Sequence, residues 1–152
     1  ISTLLGMHFY HDGQFEGRKI KLPVQLVREP EETVIAEIKE FYNNLLKITT
    51  QEIFKNGKWE LLSPLKAWES NITFKNILAW GWTLKAEKRI VVVNYSDKIS
   101  TCRLKLDLQG FQEEFIIKDL LSDQTYTRSA EEVYHTGLFI ELKPYQSHIF
   151  AF

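Results

Sequence analysis

The sequence predicts a mainly β protein: a strand, a loop and a helix, followed by an antiparallel sandwich or barrel of many short strands. Three observations carry this reading. From residue 51 onward, short runs of alternating apolar residues are separated by turn residues at regular spacing. Between Glu31 and Ile48 the apolar period is helical instead. Ahead of both, Leu4–Tyr10 is apolar apart from His8 and runs into the polar, glycine-bracketed segment His11–Arg18. Barrels and parallel sheets carry their chemistry in such a place, just beyond the carboxyl end of a strand.

Leu4–Tyr10 reads as a buried strand. Val34, Ile35, Ile38, Phe41, Tyr42, Leu45 and Leu46 then recur at three- and four-residue spacing, the apolar stripe of an amphipathic helix over Glu31–Ile48. Pro30 suits its first turn, and Glu31 and Glu32 suit the positive end of its macrodipole. The boundary falls near Thr49–Gln51, dividing residues 1–50 from 51–152 with no Pro/Gly/Ser linker. Gln51–Lys55, the Asn56-Gly57 pair and Lys58–Ser63 read as a hairpin, because Asn-Gly is the strongest short hairpin signal. Pro64–Thr73 reads as a loop. Strands are expected at Ile77–Lys85, Arg89–Tyr95, Ser100–Leu108, Glu114–Asp119, Gln124–Arg128, Leu138–Lys143 and Gln146–Phe152. The turns between them are short, as at Ala86-Glu87-Lys88, Ser96-Asp97-Lys98, Gln109-Gly110 and Pro144-Tyr145. Cys102, Leu104 and Leu106 alternate and are expected to point inward, together with Val91 and Val93.

Bulk properties narrow the function. With 152 residues, 44% apolar and 26% charged, the chain is long enough for a proper core and too apolar for disorder. A net charge of −1 supplies no electrostatic reason for a nucleic-acid or membrane partner. The longest apolar runs, such as Ile90–Val93, are too short to span a bilayer. The single cysteine, Cys102, excludes an internal disulfide and a cysteine-built metal site. The chain begins at Ile1 with no visible signal peptide, so upstream sequence is expected and the missing signal says nothing about export. Aromatics are 13% of residues, with four tryptophans, a content shared by sugar-binding β proteins and by well-packed sandwiches.

The layout resembles the C-terminal end of alpha-amylase-type glycoside hydrolases. Their catalytic (β/α)8 barrel is followed by an all-β domain of about the size of 51–152. Leu4–Tyr10 looks like the eighth barrel strand, Asp12–Arg18 like the loop at its catalytic end, and Glu31–Ile48 like the eighth barrel helix. The stretch GQFEGRKIKLPVQL is similar to the glycine-rich end of the barrel in a bacterial branch of the family. IVVVNYSD, Ile90–Asp97, is similar to the strand in which family members carry Asn-Tyr-Ser or Asn-Phe-Ser. The resemblance implies an antiparallel Greek-key β-sandwich over 51–152, with 1–50 as the remnant of the barrel. It also implies an aspartate nucleophile, a glutamate acid/base and a second aspartate on earlier strands, none of which this chain contains. The family loop reads Gly, any residue, Glu, any residue, Gly. Here Gly13 and Gly17 keep the spacing and Glu16 sits one place later.

Asp12, Gln14, Glu16 and Arg18 are the candidate substrate-binding residues, acting in the parent enzyme. Two carboxylates could serve a glycosidase as acid and nucleophile. Four residues apart on one loop, Asp12 and Glu16 are better suited to capping it, pairing with Arg18 or binding a sugar hydroxyl, so no residue of this chain is assigned as catalytic. His8 and His11, three apart on a strand, would face opposite ways and make a poor metal pair; His135 and His148 stand alone, and no metal or cofactor is expected. Trp80 and Trp82 share a face with Leu78 and Leu84, which favours a core or interface over a sugar-stacking platform; Trp59 and Trp68, near loops, are the exposed candidates. Asn71-Ile72-Thr73 and Asn94-Tyr95-Ser96 match the N-glycosylation pattern, but Asn94 falls inside a strand and the pattern is frequent by chance.

Together these readings describe a non-catalytic accessory part of an alpha-amylase-like enzyme acting on α-glucans. The expected partner is the upstream catalytic barrel of the same polypeptide, with α-glucan met only through the parent, and self-association is expected of the fragment. The alternatives are a free-standing, non-catalytic carbohydrate-binding β-sandwich and an interaction domain unrelated to sugars.

Overall fold

A computed structural model of the chain describes residues 2–20, 25, 31–108 and 113–152. Pro30 and the turn expected at Gln109-Gly110 lie outside the described residues. The chain forms two compact units, residues 1–51 and 52–152. Among the described residues no helix is long and apolar enough to cross a membrane.

In the first unit, Leu4–Tyr10 departs from the expectation of a buried strand. It forms no ladder among the described residues, and Met7 and Phe9 are 98% and 86% exposed. The segment curls on local bonds instead. Gly6 takes φ +96, the His8 ring bonds Leu4 O at 3.0 Å, and Tyr10 Oη donates to Ser2 Oγ at 2.7 Å. A parallel strand draws every ladder bond from distant segments, and among the described residues none pairs with Leu4–Tyr10. The helix, α1 (Ala36–Thr49), begins later than the apolar period suggests. Glu32 is recruited elsewhere: its carboxylate accepts from Lys19 N at 2.9 Å and Ile20 N at 3.2 Å.

The second unit opens with a short helix, α2 (Ile53–Asn56), where a hairpin strand was expected. Ile53 and Phe54 are both buried, and adjacent residues cannot both face inward on a strand with one covered face. Gly57 ends this turn. Its N–H donates to Ile53 O at 3.0 Å, and a β-carbon there would lie 2.4 Å from that oxygen. Asn-Gly therefore stops a helical turn here. Phe54 meets Trp82 edge-on, with ring centroids 6.0 Å apart.

Eight strands follow among the described residues: β1 (Lys58–Leu62), β2 (Ile77–Leu84), β3 (Glu87–Asn94), β4 (Ser100–Leu104), β5 (Glu114–Asp119), β6 (Thr125–Ser129), β7 (Leu138–Leu142) and β8 (Ser147–Ala151). A third helix, α3 (Ala130–Thr136), separates β6 from β7. A six-stranded antiparallel sheet runs β1-β2-β3-β8-β5-β6, and β4 pairs with β7 in a second sheet. The last strand returns to lie between β3 and β5, the long return of a Greek-key connection. The two sheets share one core. Ile77, Ala79, Ile90, Val92, Ile117 and Phe150 of the larger sheet meet Cys102, Leu104, Ile140 and Leu142 of the smaller.

The alternation expected at Ser100–Leu108 is present: Cys102, Leu104, Leu106 and Leu108 are all buried. Burial pushes the Cys102 thiol up to about 12, so it is an unreactive core group. Val91 and Val93 require a correction. Ile90 and Val92 point into the shared core, so Val91 and Val93 project from the other face, where Val91 is buried opposite Trp80 and Ile149 and Val93 is half-buried. The unbroken run Ile90–Val93 carries no alternation because this strand is covered on both faces. Leu106, 9% exposed, tests the packing. Leu106→Ala should cost about 2–3 kcal/mol in urea unfolding, the lower end for a buried leucine; a loss below about 1 kcal/mol would show that the site is not part of the core.

Candidate functional site

The loop after Tyr10 is a chain of tight turns. Gln14 N donates to His11 O at 3.2 Å, Gly17 N to Gln14 O at 3.3 Å, and Arg18 N to Gly13 O at 2.9 Å. Gly13 and Gly17 lie in the left-handed region at φ +78 and +70. Packing also requires Gly17, because a β-carbon there would come within 2.8 Å of Ile38 Cδ1 on α1. The loop is held to that helix by its backbone and its aromatic residues. Ile35 N donates to Glu16 O at 2.9 Å, and Phe15 sits 5.0 Å from Tyr10 and 5.1 Å from Tyr42, measured between ring centroids.

This geometry separates the four candidate residues by role. Gln14 is occupied within the unit: its Nε2 donates to Tyr42 Oη at 2.8 Å, and its Oε1 accepts from His11 N at 3.3 Å. Glu16 and Arg18 are half-buried, and Asp12 is exposed. An exposed carboxylate on this loop can accept hydrogen bonds from hydroxyl groups. His8 and His11 bond to backbone oxygens, of Leu4 and Asp12 respectively. Among the described residues, no three His, Cys, Asp or Glu side chains gather as metal ligands would.

In the β unit, Trp80 and Trp82 are buried, so they form no open sugar platform. Trp59 is half-buried and Trp68 is exposed. Neither glycosylation pattern presents its asparagine. Asn71 Nδ2 donates to Thr73 Oγ1 and Thr101 Oγ1, both at 2.9 Å, and Asn94 is almost fully buried.

The inward register of β5 runs Phe115, Ile117, Asp119, and it ends in a wholly buried carboxylate. Asp119 Oδ1 accepts from Leu121 N and Ile149 N, both at 3.2 Å; Oδ2 accepts from Ser122 Oγ and from His148 Nδ1 at 2.8 Å. Burial pushes this carboxyl up, but the bonds from His148, Ser122 and Leu121 outweigh it and hold the group below its ordinary value of 3.8. His148 is therefore not the isolated histidine its sequence position suggests. The clue is in the alternation itself: a carboxylate in an inward register needs buried donors.

No known protein family matches the chain, and no curated protein does. Solved structures do. The chain is similar to a noncanonic maltogenic alpha-amylase of Thermotoga neapolitana, with 19% identity and a TM-score of 0.71 over 99% of this chain and 34% of that one. It is also similar to an Anoxybacillus alpha-amylase, at 18% identity and TM-score 0.55 over 78% of this chain and 23% of that one. An alpha-amylase of Geobacillus thermoleovorans, solved with acarbose, gives 11% identity and TM-score 0.57 over 80% and 24%. The chain thus spans about a third or less of each of these proteins. At such identities the likeness establishes the fold: this chain is built like a segment of an alpha-amylase.

Proposed function

We propose that this chain is a non-catalytic part of a larger enzyme that acts on α-glucans. Residues 1–50 would be the last strand, loop and helix of its catalytic barrel, and residues 51–152 an accessory β domain. The observation that supports this best is the similarity over 99% of the chain to 34% of a maltogenic alpha-amylase. The nucleophile, acid/base and transition-state-stabilising carboxylates would then lie on barrel strands ahead of Ile1. In the assembled enzyme the loop would meet the glucan through Asp12, with Glu16 and Arg18 as flanking contacts and Gln14 holding the loop on Tyr42. Sequencing the gene upstream of Ile1 tests the reading: barrel strands bearing an Asp, a Glu and a further Asp are expected, and a start codon directly before Ile1 would overturn it.

The purified chain should show no turnover of starch, maltodextrin or an aryl α-glucoside above buffer background. One loop builds no enclosing cleft around Asp12 and Glu16. Turnover that disappears in Asp12→Asn would contradict this. The fragment should also self-associate through residues 4–48, since Leu5, Met7 and Phe9 are exposed apolar side chains on a segment that joins no sheet among the described residues. Light scattering on the full chain and on a version starting at Glu31 decides the point; a monomeric full chain at high micromolar concentration would refute it.

A further inference from the structure

The two sheets of the β unit end in open edges at the same place. The larger ends in β6 and the smaller in β7, with a cleft of about 200 Å³ between them. The other edge of the smaller sheet is closed. There Leu65 and Arg103 of β4 exchange two backbone bonds of 2.9 Å, and Thr101 N donates to Thr73 Oγ1 at 3.1 Å. Those bonds fix which way β7 points its backbone. Arg103 and Thr101 turn their backbone groups away from β7, so they form non-bonded ladder pairs with Phe139 and Glu141. The N–H and C=O groups of Phe139 and Glu141 therefore face the open edge, where no described residue bonds them. Their side chains face outward: the Phe139 ring lies 5.6 Å from the Arg103 guanidinium, and Glu141 is exposed. These two residues thus line the cleft with backbone.

The base of the cleft is core: Leu138 and Ile140 from β7, Ile117 and Phe150 from the larger sheet. Across it, β6 turns Tyr126 and Arg128 inward, on the face of their partners Ile117 and Phe115. Arg128 is half-buried, lies 5.3 Å from the centre of the Tyr126 ring and donates to Thr127 O at 2.8 Å. Among the described residues it has no carboxylate partner. The side chains turned into the cleft are thus apolar or aromatic apart from Arg128 and His148, and His148 is already bonded to Asp119. Natural sheets blunt an open edge with lysine, proline or a bulge. Strand β7 reads Leu-Phe-Ile-Glu-Leu and pairs in unbroken register, so it has none of these.

We infer that the β7 edge is a docking site for an extended segment of a partner protein, added as a third strand to the β4–β7 sheet. The backbone groups of Phe139 and Glu141 supply the attachment, and alternate side chains supply the specificity. The partner residue opposite Ile140 points into the cleft and is apolar, to match the base. The residue two positions along points the same way and is acidic, to meet Arg128. A small anion or a small apolar molecule would use only one of these features and leave the edge open. The site lies within the β unit and does not rest on the α-glucan reading above.

The test is amide hydrogen exchange, read by NMR, on the isotope-labelled full chain with capped synthetic peptides. The first peptide is Thr-Val-Thr-Leu-Thr-Glu-Thr. The second has lysine in place of glutamate, and the third is the first with its two central threonines N-methylated, which removes the N–H groups that would bond β7. In the chain alone, the Phe139 and Glu141 amides should exchange fast and the Ile140 amide, which faces Cys102, slowly. The first peptide should slow Phe139 and Glu141, leave Ile140 unchanged, and bind with a Kd on the order of 1 mM. The lysine peptide should bind at least about fivefold more weakly, and the methylated peptide should give no protection. Arg128→Ala should weaken the first peptide about tenfold and abolish the preference for glutamate over lysine. Absence of protection by the first peptide, equal binding of the lysine peptide to wild type, or equal binding of the methylated peptide would each overturn the inference. So would protection of Phe139 and Glu141 in the chain alone that grows with its concentration, because the edge would then belong to a second copy.

Discussion

Asn94→Asp should destabilise the β unit by about 3–5 kcal/mol at neutral pH, the cost of an uncompensated buried charge. Asn94 ends β3 and is 1% exposed. Its Nδ2 points at three carbonyl oxygens: Lys98 at 2.7 Å, Lys143 at 2.9 Å and Leu142 at 3.3 Å. Its Oδ1 accepts from Ser96 N at 3.2 Å and Ser96 Oγ at 2.9 Å. One amide therefore closes the β3–β4 turn and fastens β3, in the larger sheet, to the end of β7 in the smaller. Aspartate has the same shape but places an oxygen where the NH2 stood, facing three acceptors. The change removes two donors and adds repulsion in a site that excludes water. The loss is a large share of the roughly 5–15 kcal/mol that holds an ordinary domain together. The introduced carboxylate would be raised in pKa, since only its protonated form can donate, so the deficit should shrink as pH falls from 7 to 5. Urea unfolding at the two pH values measures both effects. A loss below about 1 kcal/mol, or a deficit that grows on acidification, would show that the amide does not hold the sheets together.

The same residue shows what a sequence makes legible. The family-like Asn-Tyr-Ser stretch marks residues 94–96 as notable, but partners 48 and 49 positions away carry the reason. Strands governed by local alternation were readable: the expected Glu114–Asp119 is β5 end to end, and β2, β3, β7 and β8 differ only at their ends. Local pattern misleads where a distant or two-sided environment decides the outcome. Helix α1 starts after Ile35 because Glu32 serves the backbone of Lys19 and Ile20. Asn56-Gly57 stops a helical turn because Ile53 and Phe54 are buried together. Helix α3 carries a local signal of its own. Ser129 stands three residues before Glu132, its Oγ accepts from Glu132 N at 3.2 Å, and Gly137 follows the last turn at φ +85. In the loop, the glycine spacing exposed the turns, but nothing local indicated that Gln14 would be claimed by Tyr42, 28 residues on.

Asp119→Ala should cost a comparable amount, about 3–5 kcal/mol, and should also change the acid response. Removing this carboxylate deprives Leu121 N, Ile149 N, Ser122 Oγ and His148 Nδ1 of one shared acceptor at the junction of β5 and β8. Each orphaned donor in a site this enclosed costs on the order of 1–3 kcal/mol, reduced where water or a shifted side chain can replace the acceptor. The pH dependence follows from the direction of the shift. The folded-state pKa of Asp119 is lowered, so the unfolded chain takes up the proton first as pH falls. The stabilisation is fully present above the ordinary value of 3.8 and is lost as pH falls through the lower folded value. Wild type should therefore lose stability steeply below about pH 4, and the alanine variant, lower throughout, should lack that component. The gap between the two should be widest at pH 5–7 and should narrow on acidification. Thermal unfolding of both proteins from pH 7 down to pH 2.5 measures it. A gap that stays constant, or one that widens as pH falls, would mean that Asp119 contributes by packing alone and that its bonds to His148 and Ser122 do not favour the ionised carboxylate.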